Sequence, residues 1–332
     1  SHKLTKQNTP TTYTIQFVKE DVRYAYGLSY TSEQIVSEYL YYFPNGKQAK
    51  IFDRNLNEVS FGDKFKKDFE TILNFMKPNK LFLSVSANYS AVKEAELVFL
   101  FFKEDLIFYP LPLEISNWLE YSIERFTKEP ELKKIFIDFM KSVDTPIQSI
   151  DTKFEKTQMT PEFIPDNIPD EFKPFFAQAK EVTRSEANIN YGLFSVNLNE
   201  ESKGIQKLFE VFGPIIDIIL KDKVLIWDEM ETSLHPRIVK EILRLIMYGK
   251  RDSKAQLIFS THDTNLLDLN TFRRDQIWFT ELNKDRETDI YSLAELKNVR
   301  KDENISKGYM NGKYGAIPFI HNPLVFPVEE GC

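Results

Sequence analysis

The sequence predicts an α/β protein with a mixed, partly parallel sheet at its core, and three patterns carry that assignment. Residues 224–227 and 256–259 are short continuous apolar runs, separated by helical spacing at Ile238, Val239, Ile242, Leu243 and Ile246. Strand, amphipathic helix and strand at this distance fit a parallel crossover unit. Residues 11–54 alternate apolar and polar side chains, the period of an antiparallel meander. From Ala91 to about Asp144 the apolar spacing is mostly helical, which fits a helical insertion.

Tyr13, Ile15 and Phe17, then Val22, Tyr24, Tyr26 and Leu28, flank Lys19-Glu20-Asp21 and read as a hairpin. Ile35 to Tyr42 and Lys50 to Asp53 flank Pro44-Asn45-Gly46-Lys47, where Asn-Gly favours a tight turn. A helix is expected over 62–76 through Phe65, Phe69, Ile72 and Met76, and a strand at Leu81-Phe82-Leu83-Ser84-Val85. Trp118, Ile123 and Phe126, then Leu132, Ile135, Phe136, Phe139 and Met140, mark further helices. Residues 160–176 hold Pro161, Pro165, Pro169 and Pro174 among acids and read as an irregular connection or a lid. Asn188 to Val196 returns to a strand pattern. The helix that follows carries Ile205, Leu208, Phe209 and Phe212 on one face, and Gly213-Pro214 should kink or restart it before Ile215, Ile216 and Ile219 continue that face. Gln256 to Ser260 reads as a buried strand. The expected organisation is a sheet lobe over 1–90, the helical insertion and Pro-rich connection over 91–185, and a lobe carrying the chemical motifs over 186–332.

At 332 residues, with 42% hydrophobic and 28% charged residues, the chain is ordinary globular material large enough for a well-buried core. No apolar run approaches membrane-spanning length, and no N-terminal signal pattern is present. A single cysteine, Cys332, excludes an internal disulfide framework and a Cys-rich zinc site, and suits a reducing cytoplasm. The net charge of −7 argues against whole-surface attraction to nucleic acid. Lys64, Lys66 and Lys67, then Arg273 and Arg274, then Lys297, Arg300 and Lys301, all lie among acids, and a solvated mixed-charge face is favoured over a phosphate track.

Val224-Leu225-Ile226-Trp227-Asp228-Glu229 is the most informative stretch. A buried parallel strand ending in two carboxylates places them where open α/β sheets bind ligands, and there they serve a metal and an attacking water. The bland alternative is a core strand ending in a solvated acidic turn. Ser202 and Gly204, at a loop-to-helix junction, either expose N–H groups to a phosphate or provide a simple N-cap. His262, at the end of the 256–260 run, either donates to a phosphate oxygen or is structural.

In chain order, Ser202-x-Gly204-x-Gln206, the apolar run ending Asp228-Glu229, Ser233-Leu234-His235-Pro236 and Ser260-Thr261-His262-Asp263 resemble the signature motif, Walker B, D-loop and H-loop of ABC-type ATPase heads. Within that superfamily the sequence is similar to stand-alone AAA-type ATPases of bacterial anti-phage abortive-infection modules, relatives of the overcoming-lysogenisation-defect ATPases and of SMC and double-strand-break-repair heads. Arg273 to Phe279, Asp289 to Leu293 and Lys307 to Pro318 also carry the likeness. The resemblance implies a cytoplasmic ATP-binding and ATP-hydrolysing subunit using ATP and Mg²⁺. Asp228 is the implied metal ligand and Glu229 the base that deprotonates water, with His262 at the γ-phosphate. Ser202, Gly204, Gln206, Ser233 and His235 are the implied nucleotide-binding residues. Sites form in a head-to-head dimer or larger homo-oligomer, with Ser202 and Gly204 supplied across the interface and Ser233 and Leu234 at the boundary. Turnover would switch a separate effector, often a Toprim-like nuclease; this chain shows no Toprim acidic cluster, and DNA stays open as a partner. The alternative is a scaffold or pseudo-ATPase that binds a partner protein or DNA without turnover.

The sequence departs from the family at the front. Relatives begin with a strand and a G-x-x-x-x-G-K-[S/T] loop that cradles the phosphates. Gly46-Lys47 lacks the earlier Gly and the following Ser/Thr, and Gly308 to Lys313 has three residues between its glycines and Tyr314 where a hydroxyl for Mg²⁺ is needed. The expectation is a chain starting after the P-loop strand and helix, truncated or naturally clipped, inactive on its own. A true pseudo-ATPase is disfavoured because Asp228, Glu229 and His262 persist. The meander corresponds to the sheet that follows the P-loop helix in relatives, and its place almost at the amino end supports a missing front. The strand at 81–85 corresponds to the one leading to the Q-loop, with Ala87-Asn88 where a Gln is expected. The insertion corresponds to the arm of SMC-like relatives but is too short and too rich in Phe for a long coiled coil.

Overall fold

The alternation over residues 11–54 folds as an antiparallel meander in a computed structural model of the chain, which describes residues 9–110, 118–158, 181–297, 299–300 and 303–318. The expectations for the Pro-rich segment 160–176, for Lys301 and for Cys332 lie outside those residues. The chain divides into two units, Ser1–Ile107 and Phe108–Cys332.

In the first unit β1 (Thr11–Lys19), β2 (Val22–Tyr30), β3 (Ile35–Tyr42), β4 (Ala49–Asn55) and β5 (Glu58–Phe61) pair in sequential order. Glu20 and Asp21 both adopt positive φ, 50° and 59°, between β1 and β2, the pair of left-handed residues that a two-residue hairpin turn requires. Asn45 and Gly46 do the same in the turn to β4, with φ of 54° and 76°. Tyr24, Leu40, Ile51 and Phe52 form the unit's core with Phe65, Phe69, Phe82 and Val98. The helix expected over 62–76 is shorter than its spacing implied: α1 (Lys66–Glu70) gives way to a 3₁₀ turn, Leu73–Phe75.

Leu81 to Val85 is not a strand. It enters α2 (Phe82–Tyr89), followed by α3 (Lys93–Leu100). The reason is the buried carboxylate of Glu38 on β3, which accepts the N–H groups of Phe82 at 2.6 Å and Leu83 at 2.9 Å and the hydroxyl of Tyr26 at 3.0 Å. An anion at the positive end of a helix satisfies donors that the helix leaves open. Arg54, 3.7 Å from Glu38 and equally buried, donates to the carbonyls of Leu56, Lys77, Pro78 and Lys80.

The division between the units falls within β6 (Leu106–Tyr109), a strand inside the stretch expected to be helical. The second unit then contains α4 (Trp118–Lys128), α5 (Pro130–Ser142), β7 (Ser149–Gln158), β8 (Glu181–Asn190) and β9 (Ser195–Asn197). After these come α6 (Lys203–Leu220), β10 (Val224–Trp227), α7 (Pro236–Tyr248), β11 (Gln256–Phe259), β12 (Trp278–Leu282), β13 (Thr288–Ser292) and α8 (Ile305–Met310). β7, β8 and β9 form an antiparallel sheet; β7 was not foreseen, and the single strand expected over Asn188 to Val196 is a hairpin whose turn, residues 191–194, separates β8 from β9. β10 and β11 pair in parallel across α7, as the crossover pattern predicts, in a sheet of order β11-β10-β6. β11 is less buried than its apolar run suggested, with Gln256 and Ile258 exposed, because it is an outer strand of that sheet.

α6 runs through Gly213-Pro214 without the expected restart. Proline at 214 has no N–H for the carbonyl of Glu210, and the hydroxyl of Ser122 on α4 supplies a donor to that carbonyl at 2.8 Å. Gly213 makes the approach feasible: a Cβ there would lie 2.7 Å from Ser122 Oγ. Phe126 and Phe136 pack on Phe209 and Phe212 along the same contact.

The three C-terminal segments of the resemblance converge in one small core of Ile277, Phe279, Leu293, Ile305 and Tyr314. Arg274 donates to the carbonyls of Leu293, Leu296 and Val299. Gly308 admits the Tyr314 ring, whose hydroxyl would lie 2.6 Å from a Cβ at 308. The glycines of 308–315 therefore serve packing and turns.

Candidate functional site

At the carboxyl end of β10 the chain leaves the sheet through Asp228 and Glu229. The Asp228 N–H donates to the carbonyl of Tyr109 at 2.9 Å, and the Glu229 N–H to Ser260 Oγ at 2.8 Å. Ser260 Oγ donates its own proton to Asp228 Oδ1. One hydroxyl after β11 thus fixes both acidic residues at the end of β10. Glu229 adopts φ 48°, an uncommon conformation for a side chain of this kind, with a cost of about 1–3 kcal/mol. It is held there by Ser260, by the Thr232 N–H bonded to the Glu229 carbonyl at 3.0 Å, and by the buried Met230.

The Glu229 carboxylate is exposed, and its Oε1 lies 4.0 Å from His262 Nε2. The His262 main-chain N–H donates to Glu231 Oε1 at 2.7 Å. Burial pushes the Glu231 carboxyl up, but the N–H of His262 and the hydroxyl of Thr261 outweigh it and hold the group below the usual carboxylate range. Asp228, Glu229 and His262, each read from the end of a strand, are therefore brought together.

Ser202 caps α6, its Oγ accepting from the Ile205 N–H at 3.4 Å. A Cβ at Gly204 would lie 3.1 Å from the carbonyl of Ser233, so the start of α6 and the turn before α7 meet within one chain. Ser233 sits at φ 66° and is exposed. Gln206 folds back, its Nε2 donating to the carbonyls of Asn199 and Glu201. His235 Nδ1 accepts from Arg237 N–H at 3.2 Å as the cap of α7. Ser260, Glu231, Tyr109 and Lys207 are participants that sequence reasoning missed; only Ser260 offered a signal, standing directly before Thr261-His262-Asp263. Lys207 is half-buried, and burial lowers its basicity against the pull of Glu210, Glu231 and Glu229.

The donor set fits a magnesium ion. No cluster of three or more His, Cys, Asp or Glu capable of holding a metal exists among the described residues. Mg²⁺, however, is held by one or two carboxylates together with waters and substrate phosphates, and the carboxylate of Asp228, oriented by the Ser260 hydroxyl at a strand end, offers an oxygen of that kind. No helix among the described residues is long and apolar enough to cross a membrane.

Residues 5–268 match the sequence profile of a family described as "AAA domain, putative AbiEii toxin, Type IV TA system". The chain belongs to this family. An AAA-family, ATPase-like domain of the abortive-infection kind is therefore what the mixed α/β fold carries. A structure titled "Crystal structure of the SmcHead bound to the C-winged helix domain of ScpA" is similar over 81% of this chain and 74% of that one, at 13% identity and a TM-score of 0.33. No curated protein matches the chain.

Proposed function

We propose that this AAA-family chain provides the hydrolytic side of an ATP site in a phage-defence module, with Asp228 holding Mg²⁺, Glu229 as general base and His262 as donor to the γ-phosphate. The observation that carries the reading is the exposed Glu229 carboxylate 4.0 Å from the His262 imidazole, at the carboxyl end of a parallel strand pair. When bound, the metal neutralises phosphate charge and orients the triphosphate. Glu229 takes a proton from the attacking water, whose oxygen bonds to the γ-phosphorus as the bond to the β–γ bridging oxygen breaks. His262 Nε2 donates to a γ-phosphate oxygen as charge builds there. Ser260 keeps Asp228 and the Glu229 main chain in register throughout.

Two copies meeting head to head would close the site, each offering Ser202 and Gly204 to the other's nucleotide and coupling through Ser233 and Leu234. Dimer assembly and release then act as the switch on a separate effector chain. The competing reading is a head that binds its partner without turnover. Phosphate release by the wild-type protein, compared with Glu229→Gln, separates them. Loss of about 100-fold or more supports the base assignment; turnover absent from both proteins despite bound ATP favours the scaffold.

A further inference from the structure

A cavity of about 530 Å³ opens between α7, the segment that leaves His262 and the start of α8. Its volume falls within the range of about 300–1,000 Å³ typical of small-molecule sites. It shares no lining residue with the acidic turn, nor with Ser260 or His262. Leu267, Leu269 and the buried Ile305 give it an apolar wall that continues into the C-terminal core. The rest of the lining is polar, and its acids and its bases are in opposite states.

The carboxylates of the wall, Asp268 and Glu303, are already engaged. Asp268 accepts the Asn270 N–H at 3.0 Å and its side-chain amide at 2.9 Å on one oxygen, and the Thr271 hydroxyl at 3.2 Å on the other. Glu303 accepts the Tyr314 hydroxyl at 2.7 Å and the Arg300 N–H at 3.2 Å, and is ion-paired with Lys313. By contrast, the ammoniums of Lys240 and Lys307 have no hydrogen-bond or ion-pair partner among the described residues, and the Ser306 hydroxyl has no hydrogen-bond partner there. Asp268 comes nearest to a counter-ion, yet its carboxyl is held below the usual range first by the Asn270 N–H and least by Lys240. Occupied acceptors beside unoccupied donors favour an anion.

We propose that this cavity binds a small organic phosphomonoester, with the phosphoryl group on Lys240, Lys307 and Ser306 and the organic part against Leu267 and Leu269. A phosphomonoester presents three strong acceptor oxygens and about −1.5 to −2 charges at pH 7, which suits ammoniums and a hydroxyl arriving from separate elements. A carboxylate has one charge and two oxygens. Lysine serves phosphate as a point charge and needs no fork geometry. The apolar wall separates an ester from free phosphate, which has nothing to bury there. The site does not depend on what Asp228 and Glu229 do.

The full chain is titrated with phenyl phosphate, inorganic phosphate and phenol in the absence of divalent cations, with affinity read by calorimetry and contact by the ¹³C-methyl resonances of Leu267 and Leu269. Phenyl phosphate should bind saturably, about three- to tenfold more tightly than inorganic phosphate, and move both leucine resonances, while phenol should not saturate. Lys240→Gln and Lys307→Gln should each weaken it about five- to tenfold, and the double variant should abolish it. Lys240→Arg and Lys307→Arg keep the charge and should retain binding, as should Lys66→Gln on α1. Saturable binding that ignores both glutamine exchanges, or that leaves the two leucines unmoved, overturns the proposal, and so does the absence of saturable binding. Inorganic phosphate binding here as tightly as phenyl phosphate overturns the assignment to an ester.

Discussion

Two glutamates, one buried and one exposed, show two ways in which this chain holds a carboxylate. Glu38 is fully buried and engaged by two main-chain N–H groups, a tyrosine hydroxyl and Arg54, so its charge is spent on holding a helix start and a loop. Glu229 keeps 59% of its side chain exposed, with Thr232 Oγ1 at 3.4 Å and His262 Nε2 at 4.0 Å from its carboxylate. Its main chain, by contrast, is fixed in a left-handed conformation by Ser260 and Thr232. The first carboxylate is complete without a ligand. The second is held in place but left free to act.

That contrast can be broken first at Glu38. Removing it by Glu38→Ala leaves Arg54 buried without its anion and two helix donors open, and chemical unfolding should show a loss of about 3–5 kcal/mol. At the helix contact of the second unit, Gly213→Ala places a methyl against Ser122, and a loss of about 1–3 kcal/mol is expected from thermal unfolding. Ser260→Ala removes the one hydroxyl that serves both acidic residues and should cost about 1–2 kcal/mol. Turnover should fall with it, which phosphate release reads directly. Glu229→Gln sharpens the comparison, because an exposed side chain of this kind should change unfolding free energy by less than about 0.5 kcal/mol.

The gentlest probe is pH. Glu231 is held below the usual carboxylate range in the folded chain, so its contribution to anchoring the His262 main chain is fully present above the ordinary glutamate value and is lost as pH falls through the lowered folded one. The amide resonance of His262 should therefore stay constant through the ordinary carboxylate range and move only below it. In Glu231→Gln that acid-side movement should vanish.

What the sequence made legible was whatever depends on neighbours along the chain. The meander, the parallel crossover and the strand-end positions of Asp228, Glu229 and His262 all follow from local periodicity. Leu81 to Val85 was read as a strand because a short apolar run looks the same in either state, and the deciding partner, Glu38, lies more than forty residues away. β6 was hidden in a helical stretch for the same reason. Gly213-Pro214 reads locally as a helix break, yet Ser122 supplies the missing donor to the Glu210 carbonyl, 88 positions away in the chain. Ser260 stands in a motif that gave it no role of its own, and Glu231 and Lys207 carry no motif, since each acts by reaching across to another element.

The proposed function requires that Asp228 and Glu229 face a triphosphate beside His262. Anomalous diffraction from crystals of the protein carrying Glu229→Gln, soaked with Mn²⁺ and ATP, locates the cation and the γ-phosphate together. The expected result is manganese at about 2.0–2.2 Å from an Asp228 carboxylate oxygen, or one water away, with the γ-phosphate between residue 229 and the His262 imidazole. Nucleotide bound elsewhere, or a cation with no tie to Asp228, would contradict it.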